Sequence, residues 1–575
     1  MKDVTYLKLL RNGSKAAPAY PVHRFALLGD CATQHLCAAI RGYAYEEGEN
    51  FQMFEADYDQ IDAQLMDENS EFYAFDPETV LLFMCTEKLY KRFTACPVLE
   101  RASFYEAEAK KIRSSFERIN RRLKTNILFF LFLKMDDGVF GSYAYTEKTS
   151  FPYQLAKLNN CLIDMAGEIG NLRLIDLEPV RARMGDRAFK DEKMYAIAKM
   201  PISTSALVPV SNLVVEAVKA RKGRIRKCAI LDLDNTLWGG VIGDDGMSGI
   251  QIGELNQGHA FTEFQTWLKE LKNRGIMLAV CSKNDEKNAK EPFISHPEMV
   301  LRLNDFSAFV ANWEDKAGNI RRIQKELNIG FDSMVFFDDN PFERNLVRTM
   351  LPEVEVPELP EDPAMYTSFA RAQNLFDTAS FSDEDRVRTE RYLAEQKRSS
   401  MSLEMESYDD YLKALEMKAV VSAFDEFHTP RIAQLTQRSN QFNVRTVRYT
   451  DEEIARISED DRYITRYYKL SDRFGDHGLI SVVILEKRAD HLFVNEWLMS
   501  CRVLKRGMEQ FIADSIISVA QKEGFTKVVG EYIPTAKNGM VKNLFSDMGF
   551  RDACDGKFVA DVETYKKHNT YITEE

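Results

Sequence analysis

Residues 227–236, which read Lys-Cys-Ala-Ile-Leu-Asp-Leu-Asp-Asn-Thr, organise the middle of this chain. Their apolar run predicts a parallel strand covered on both faces. The polar residues follow at its carboxyl end, where open α/β sheets bind ligands. Alternation along an extended chain would turn Asp232 and Asp234 to one side, and two neighbouring carboxylates need a cation or a shared proton. The stretch predicts a Mg²⁺ phosphoryl-transfer site, and the alternative is a capped helix N-terminus.

The whole chain has the composition of a large globular protein. Its 575 residues predict roughly three to four domains. A formal net charge of −13 argues against a nucleic-acid binder. The nine cysteines show neither a Cys-x-x-Cys pair nor metal-ligand spacing, which favours free thiols in a reducing compartment. No signal peptide is evident, and the most apolar run, residues 126–133, is too short to span a bilayer. We therefore expect a cytoplasmic protein without a membrane partner.

Residues 1–222 alternate short apolar runs with amphipathic stretches, which is typical of a doubly wound parallel sheet. The predicted strands are residues 25–29, 51–55, 80–85, 127–133 and 172–177, with helices near 101–123 and 154–168. Gly29-Asp30-Cys31 after the first strand resembles the first motif of SGNH-type esterases, with Cys31 in the nucleophile position. That family's asparagine and histidine motifs are missing, so a degenerate domain is favoured over a working esterase. The basic segment 221–227 is expected to be a solvated joint.

Residues 225–375 predict a second α/β domain. Further buried strands end at Ser282 and at the pair Asp338 and Asp339, and Lys316 lies between them in the sequence. The chain contains, in order, a strand followed by Asp-x-Asp-x-Thr, a strand followed by Ser, a Lys, and a strand followed by Asp-Asp. This series resembles the four motifs of haloacid dehalogenase-type phosphatases. Their order within one domain-sized stretch makes the resemblance specific.

The resemblance implies a role for each motif residue. Asp232 would be the nucleophile that attacks phosphorus, and Asp234 would protonate the leaving oxygen and then activate water. Ser282 and Lys316 would hold the phosphoryl oxygens, and Thr236 and Asn284 are expected to bind substrate. The expected Mg²⁺ ligands are Asp232, Asp234 through its carbonyl, Asp338 and Asp339. The sequence leaves open which member of the last pair ligates directly.

The intervals between the motifs leave no room for a separate cap domain. Residues 236–282 fit a flap, one helix and one strand, and residues 282–316 fit little more than a helix and a strand. A cap would need about 60 residues or more for its own core. We therefore expect an open site, which suits a group carried on a protein arm better than a small metabolite.

The last third of the chain predicts a charged linker and an α+β domain. Residues 376–415 are rich in Glu, Lys, Arg and Ser, and 383–397 is expected to be an exposed helix. In the domain of residues 416–575, paired strands at 479–485 and 492–498 precede a loop and an amphipathic helix. That loop resembles the Arg-x-x-Gly-x-Gly signature of GNAT acyltransferases through Arg502 and Gly507, with Lys505 in place of the first glycine. The two matching residues are expected to bind a pyrophosphate, as at other helix N-termini.

Together these segments resemble FkbH-type proteins, a subgroup of haloacid dehalogenase phosphatases. The resemblance implies loading of a D-glyceryl unit from 1,3-bisphosphoglycerate onto the phosphopantetheine thiol of an acyl carrier protein, as in polyketide biosynthesis, with loss of the phosphate. Cys281 and Cys31 are the candidate thiols for a first acyl transfer, although alternation favours a core position for Cys281. The alternative is a phosphatase for another phosphorylated metabolite or carrier-bound group. A scaffold with vestigial sites is a third hypothesis, which the complete set of four motifs disfavours.

Overall fold

The computed structural model of the chain describes residues 4–15, 22–378, 398, 401, 405, 407–439, 441–500, 503–535 and 538–575. It divides into two compact units, Met1–Arg386 and Val387–Glu575. The helix predicted at 383–397 lies outside the described residues. None of the described helices has the length and apolar character needed to cross a lipid bilayer.

The first unit begins with a five-stranded sheet whose order is β2-β1-β3-β4-β5 and whose strands are all parallel. Its strands are β1 (Val22–Gly29), β2 (Asn50–Glu55), β3 (Thr79–Phe83), β4 (Asn126–Phe130) and β5 (Leu172–Ile175). Its helices are α1 (Tyr6–Gly13), α2 (Gln34–Glu46), α3 (Ile61–Met66), α4 (Glu71–Phe75), α5 (Thr86–Ala95), α6 (Phe104–Arg122), α7 (Phe151–Glu168), α8 (Glu178–Met184), α9 (Asp186–Phe189), α10 (Glu192–Ala198) and α11 (Leu207–Arg221).

Strand β1 shows why this sheet is covered on both faces. Phe25 and Leu27 pack into one hydrophobic cluster, while Ala26 and Leu28 pack into another. All four side chains are fully buried. Burial of a Leu or Phe side chain contributes about 1.5–3 kcal/mol, so these alternating contacts fix the helices on each face. The doubly wound sheet predicted for this part of the chain is confirmed.

The second sheet of the first unit has the order β8-β7-β6-β9 and is also entirely parallel. Its strands are β6 (Cys228–Leu231), β7 (Met277–Ser282), β8 (Phe306–Ala311) and β9 (Met334–Phe337). Its helices are α12 (Ile242–Gly249), α13 (Gly258–Asn273), α14 (Glu286–Ser295), α15 (Lys316–Leu327), α16 (Pro341–Met350) and α17 (Tyr366–Ala372). The intervals between the site residues contain these elements and a short 3₁₀ turn but no cap domain, as the spacing predicted.

Buried ion pairs connect the helix before β6 with the second sheet. Arg226 donates to Glu216 on α11 and to Glu355, with N–O distances of 3.1 Å each. Lys219 reaches Glu216 at 2.7 Å, and Lys222 reaches the fully buried Glu49 at 2.9 Å. The expectation of a solvated joint was therefore wrong for Arg226, because acidic side chains of both parts enclose it.

The second unit contains a mixed sheet with the order β15-β16-β14-β13-β12-β11-β10-β17. Its strands are β10 (Met417–Ser422), β11 (Tyr463–Asp472), β12 (Gly475–Lys487), β13 (Leu492–Met499), β14 (Lys527–Glu531), β15 (Arg551–Asp552), β16 (Lys557–Asp561) and β17 (Ile572–Glu574). Its described helices are α18 (Tyr408–Ala414), α19 (Thr429–Arg438), α20 (Asp451–Glu459), α21 (Met508–Lys522) and α22 (Leu544–Asp547). The mostly antiparallel sheet confirms the α+β prediction, and the whole chain is an α/β multidomain protein.

Candidate active site

The predicted motif residues meet at the carboxyl edge of the second sheet. Strands β6 and β9 pair in register through Leu231 and Phe337, so Asp232 and Asp338 leave the sheet side by side. The backbone of Asp232 also donates to the carbonyl of Phe337 at 3.0 Å. Ser282 ends the neighbouring strand β7 and is buried. The parallel register therefore assembles residues that lie about a hundred positions apart in the sequence.

Lys316 joins the first and last motifs. Its ammonium group lies 2.8 Å from Asp232 Oδ2 and also contacts Asp338 Oδ2. Asp315 caps helix α15 directly before it, which fixes where the lysine side chain starts. Burial alone would lower the pKa of this lysine, but the charges of Asp232 and Asp338 outweigh it and raise the pKa above its usual value. The cation therefore stays charged inside the site.

Three carboxylates form a donor set for a hard cation. Oxygens of Asp232, Asp338 and Asp339 all lie within 4.8 Å of one another. Asp232 Oδ1 is buried and has no hydrogen-bond partner among the described residues. Burial, and after it the charge of Asp232, raise the pKa of Asp338 to about 7. A set of three carboxylates, one of which has an oxygen without a hydrogen-bond donor, fits Mg²⁺. The carboxylate of Asp234 lies outside this set.

Asp234 is instead held by three donors of its own. Its Oδ1 accepts hydrogen bonds from the indole of Trp238 at 2.9 Å and from the backbone of Ile242 at 3.0 Å. Its Oδ2 accepts from the amide of Asn284 at 2.9 Å. Burial nevertheless raises the pKa of Asp234, with the charge of Asp232 adding to the effect. A half-buried carboxyl with a raised pKa suits a general acid that later works as a base.

Asn284 and Thr236, both predicted to bind substrate, contact carboxylates of the site. The amide of Asn284 is engaged with Asp234, as described above. The hydroxyl of the fully buried Thr236 contacts Asp339, accepting from its backbone at 3.1 Å and lying 3.3 Å from its Oδ1. Both side chains therefore orient site carboxylates.

Sequence reasoning missed several supporting residues. The guanidinium of Arg344 donates to the carbonyls of Asp338 at 2.8 Å and Asp339 at 2.6 Å, which fixes the turn after β9. The hydroxyl of Tyr366 donates to the carbonyl of Asn235 at 3.1 Å. Arg344 lies six residues after Asp338, and Tyr366 lies farther along the chain. Neither position carries a motif signal. Trp238 is followed in the sequence by Gly239 and Gly240, but only the fold turns its indole towards Asp234.

The mouth of the site is bordered by a small flap. Gly239 and Gln251 form an antiparallel bridge, and α12 lies between them, so the flap is longer than a tight hairpin. Two large aromatic side chains lie close to motif residues in sequence and are exposed. Trp313, three positions before Lys316, is 77% exposed, and Phe342, three positions after Asp339, is 70% exposed. Both side chains are therefore open to solvent.

The two candidate acyl-accepting thiols are both buried. Cys281 lies inside β7 with its Sγ 3.7 Å from the carbonyl oxygen of Lys316, and burial raises its pKa above the usual value. Cys31 follows β1 in the other sheet, and burial likewise raises its pKa. In this conformation neither thiol reaches a surface where an acyl donor or carrier arm could meet it.

The candidate pyrophosphate loop of the second unit is only partly described. Gly507 has φ +86° and caps α21, whereas Arg502 lies outside the described residues. The backbone of Lys505 donates to the carboxylate of Glu509 at 2.9 Å, so an acidic side chain already occupies one loop amide. This arrangement disfavours a phosphate at that amide.

The chain itself also occupies the space where β13 and β14 part. Their pairing stops at Val494 and Gly530. Beyond that point Val444 donates to the carbonyl of Trp497 at 3.2 Å, and its own carbonyl accepts from Ile533 at 2.9 Å. These backbone groups of β13 and of the segment after β14 are therefore already paired within the chain.

Comparison with known proteins agrees with the motif geometry. The model of the family "FkbH, N-terminal domain" matches residues 24–219. A solved structure, the N-terminal part of the protein BF1531 from Bacteroides fragilis containing a phosphatase domain complexed with Mg, is 44% identical to this chain. It covers 66% of this chain and 100% of its own, with a TM-score of 0.64. This chain belongs to the FkbH family. The second sheet of this FkbH protein forms a haloacid dehalogenase-like phosphatase domain.

Further comparisons concern the second unit of the FkbH protein. The ribosomal-protein-S18-alanine N-acetyltransferase from Escherichia coli is 14% identical, covering 26% of this chain and 98% of its own, with a TM-score of 0.21. The GNAT domain of S. lividans PAT is 19% identical, covering 24% and 89%, with a TM-score of 0.20. Scores this low carry no argument, so the fold of the second unit rests on its own strand order. No curated protein matches the chain.

Proposed function

We propose that this protein is a Mg²⁺-dependent phosphatase and glyceryl transferase that acts with an acyl carrier protein. The observation that carries the phosphatase part is the position of Lys316, held between Asp232 and Asp338 while Asp234 is fixed separately. This arrangement separates a nucleophile from an acid, as a two-step phosphoryl transfer requires. The solved relative complexed with Mg supports the choice of metal.

The phosphatase steps follow from the contacts of each side chain. Asp232 attacks the phosphorus of the bound phosphate ester, the ester P–O bond breaks, and an aspartyl-phosphate forms. Asp234 gives its proton to the leaving oxygen and then takes a proton from the water that hydrolyses the aspartyl-phosphate. Lys316 and Ser282 bind the phosphoryl oxygens. Mg²⁺ held by Asp232, Asp338 and Asp339 would neutralise charge on those oxygens.

The transferase part rests on the chemistry of the donor that the FkbH resemblance implies. A carrier thiolate attacks the carbonyl carbon of an acyl phosphate, the bond from carbon to the phosphate oxygen breaks, and inorganic phosphate leaves. The remaining phosphate ester is then the phosphatase substrate. Because Cys31 and Cys281 are buried, we favour direct transfer to the carrier thiol over a first transfer to this chain.

The open mouth supports a substrate carried on a protein. No cap lies between the motif residues, and Trp313 and Phe342 present exposed aromatic surface beside them in sequence. The partner would contribute the arm and the acceptor thiol, which removes the need for a lid to trap a small molecule.

Incubation with 1,3-bisphosphoglycerate, Mg²⁺ and a carrier protein tests the proposal through the intact mass of the carrier. We expect a glyceryl adduct with wild type and a phosphoglyceryl adduct with Asp232→Asn. Release of phosphate from small phosphate esters without any carrier adduct would instead favour the second candidate, a phosphatase of another metabolite or carrier-bound group. Neither adduct nor phosphate release would contradict both.

A further inference from the structure

A second cluster of metal-binding side chains lies in the first sheet, away from the phosphatase domain. Strands β1 and β3 are neighbours in the order β2-β1-β3-β4-β5. The connection after β1 leads to β2 on one side, and the connection after β3 leads to β4 on the other side. Such a switch point opens a crevice at the carboxyl ends of the two strands. Asp30 and Cys31 follow β1 there, and Cys85 follows β3.

The strand register brings the two cysteines together. Gly29 pairs with Phe83, and each cysteine lies two residues beyond its paired residue. The Sγ atoms of Cys31 and Cys85 and a carboxylate oxygen of Asp30 all lie within 4.8 Å of one another. The sequence spacing between these residues gives no hint of a site, because only the parallel pairing of β1 and β3 unites them.

The carboxylate of Asp30 is fixed at one oxygen and unsatisfied at the other. Its Oδ1 accepts a hydrogen bond from the backbone of Cys85 at 2.8 Å. Its Oδ2 is buried and has no hydrogen-bond partner among the described residues, and a guanidinium nitrogen of Arg92 lies 3.9 Å away. Asp30 is only 5% exposed, so bulk solvent does not reach this oxygen. A buried acceptor without a donor indicates a missing ligand.

We propose that Asp30, Cys31 and Cys85 bind a soft divalent metal ion of the zinc class. Two thiolates with one carboxylate select such an ion over Mg²⁺, which prefers oxygen ligands throughout. Binding displaces the thiol protons to solvent. The divalent ion with its two thiolates and one carboxylate then has one net negative charge. Arg92, which also pairs with Glu108, lies 3.9 Å from Asp30 and faces that charge.

The surroundings assign the ion a structural role. Cys31 and Cys85 are 1% and 2% exposed, and the phenol of Tyr195 on α10 lies beside the Cys85 thiol, where it offers an oxygen for a fourth position. The carbonyl of Lys199, directly after α10, accepts from the backbone of Ala32 at 3.0 Å and holds that helix over the crevice. A closed site of this kind would link β1, β3 and the turn after β1. This inference does not depend on the proposed phosphatase activity.

Titration of the reduced full-length protein with Co²⁺ tests the site, because only thiolate ligands give an intense charge-transfer absorption in the near ultraviolet. We expect one equivalent of Co²⁺ to produce this band, and Zn²⁺ to remove it. Cys31→Ser and Cys85→Ser should each reduce the band at one equivalent of Co²⁺ by at least about tenfold, because a site left with one thiolate binds the ion too weakly to fill. Cys96→Ser, a matched change at a half-buried cysteine, should leave it unchanged, as should Asp232→Asn.

A measurement on the wild type covers the case in which the serine variants do not fold. X-ray absorption of the zinc-loaded protein should show sulfur ligands at about 2.3 Å together with oxygen ligands at about 2.0–2.2 Å. Absence of a thiolate band and of sulfur ligands would overturn the proposal. So would a band that survives in both folded serine variants, or a Cys31–Cys85 disulfide that forms while zinc is in excess.

Discussion

The amide of Asn284 donates to Oδ2 of Asp234 over 2.9 Å, and this contact orients the residue that we assign as general acid and base. Asn284→Ala should lower kcat by about 10²-fold with little change in KM, because the acid loses its alignment with the leaving oxygen. Loss of a donor to the ionised carboxylate should also raise the pKa of Asp234 further, so the alkaline limb of the pH–rate profile should move to higher pH. Asn273→Ala, an exposed change on α13, is the control, and an unaltered profile for Asn284→Ala would refute this role.

Lys316 provides a test that separates phosphate chemistry from metal binding. Lys316→Met should lower kcat by at least about 10²-fold, because the developing negative charge loses its cation. The same change removes the positive charge next to the three carboxylates, so Mg²⁺ should bind at least as tightly as in wild type. Calorimetric titration with Mg²⁺ and a phosphate-release assay measure the two effects. Parallel loss of both would show that the lysine maintains the site as a whole.

Trp313 and Phe342 should matter for a carrier-bound substrate and not for a small phosphate ester. Alanine at either position should raise KM for the carrier-bound phosphoglyceryl group by about tenfold or more, as for a central interface aromatic. Hydrolysis of a small aryl phosphate should change less than about twofold, because neither side chain belongs to the motif set. Leu255→Ala, at a residue that is 79% exposed, is the matched control. Equal effects on both substrates would argue against a docking role.

The buried carboxyl of Glu496 on β13 predicts a pH-dependent stability for the second unit. Burial raises its pKa from 4.5 to about 8. The folded protein therefore binds this proton more tightly than the unfolded chain does. The contribution of this proton to the free energy of unfolding is fully present below pH 4.5 and is lost as the pH rises to 8. Each unit of pKa difference between the folded and unfolded states corresponds to about 1.4 kcal/mol.

Glu496→Gln should flatten this dependence. Between pH 5 and 8 the protection of β13 amides from hydrogen exchange should fall more steeply in wild type than in the variant. Glu563→Gln, at an exposed side chain, should follow wild type at every pH. Identical slopes for wild type and Glu496→Gln would contradict the assigned pKa.

Arg226 should be important for the stability of the first unit. Arg226→Met removes the cation shared by Glu216 and Glu355, while Glu216 keeps its pair with Lys219, so we expect a loss of about 1–3 kcal/mol. Thermal unfolding of the full chain should show a lower first transition. Arg321→Met, whose side chain donates only to an exposed backbone carbonyl, is the control. A decrease of less than about 1 kcal/mol in the free energy of unfolding for Arg226→Met would show that this arginine contributes no more than a surface ion pair.

Much of the phosphatase domain was predictable from local sequence. Buried strands read as unbroken apolar runs, and the polar residues after β6, β7 and β9 mark the ligand edge of a parallel sheet. The absence of a cap followed from chain length alone. These features need only the order and spacing of residues, which a single sequence contains.

The contacts of individual side chains were not predictable in the same way. Asn284 and Thr236 lie among motif residues, yet their side chains orient Asp234 and Asp339 because of the turns that follow β6 and β7. Arg226 looked like a solvated charge because its partner Glu355 comes from a distant segment and only the fold turns Glu216 on α11 towards it. Long-range pairing also unites Cys31 with Cys85. Such relationships depend on tertiary packing, which periodicity and spacing do not encode.

The most direct test of the phosphatase assignment is to locate the phosphoryl group during turnover. The protein is mixed with a phosphate-ester substrate and Mg²⁺, quenched in acid, and reduced with borohydride, which converts an aspartyl-phosphate to homoserine. We predict homoserine at position 232 in wild type, and neither conversion nor sustained phosphate release in Asp232→Asn. Phosphate release by Asp232→Asn at the wild-type rate, or conversion at Asp234 in place of Asp232, would contradict it.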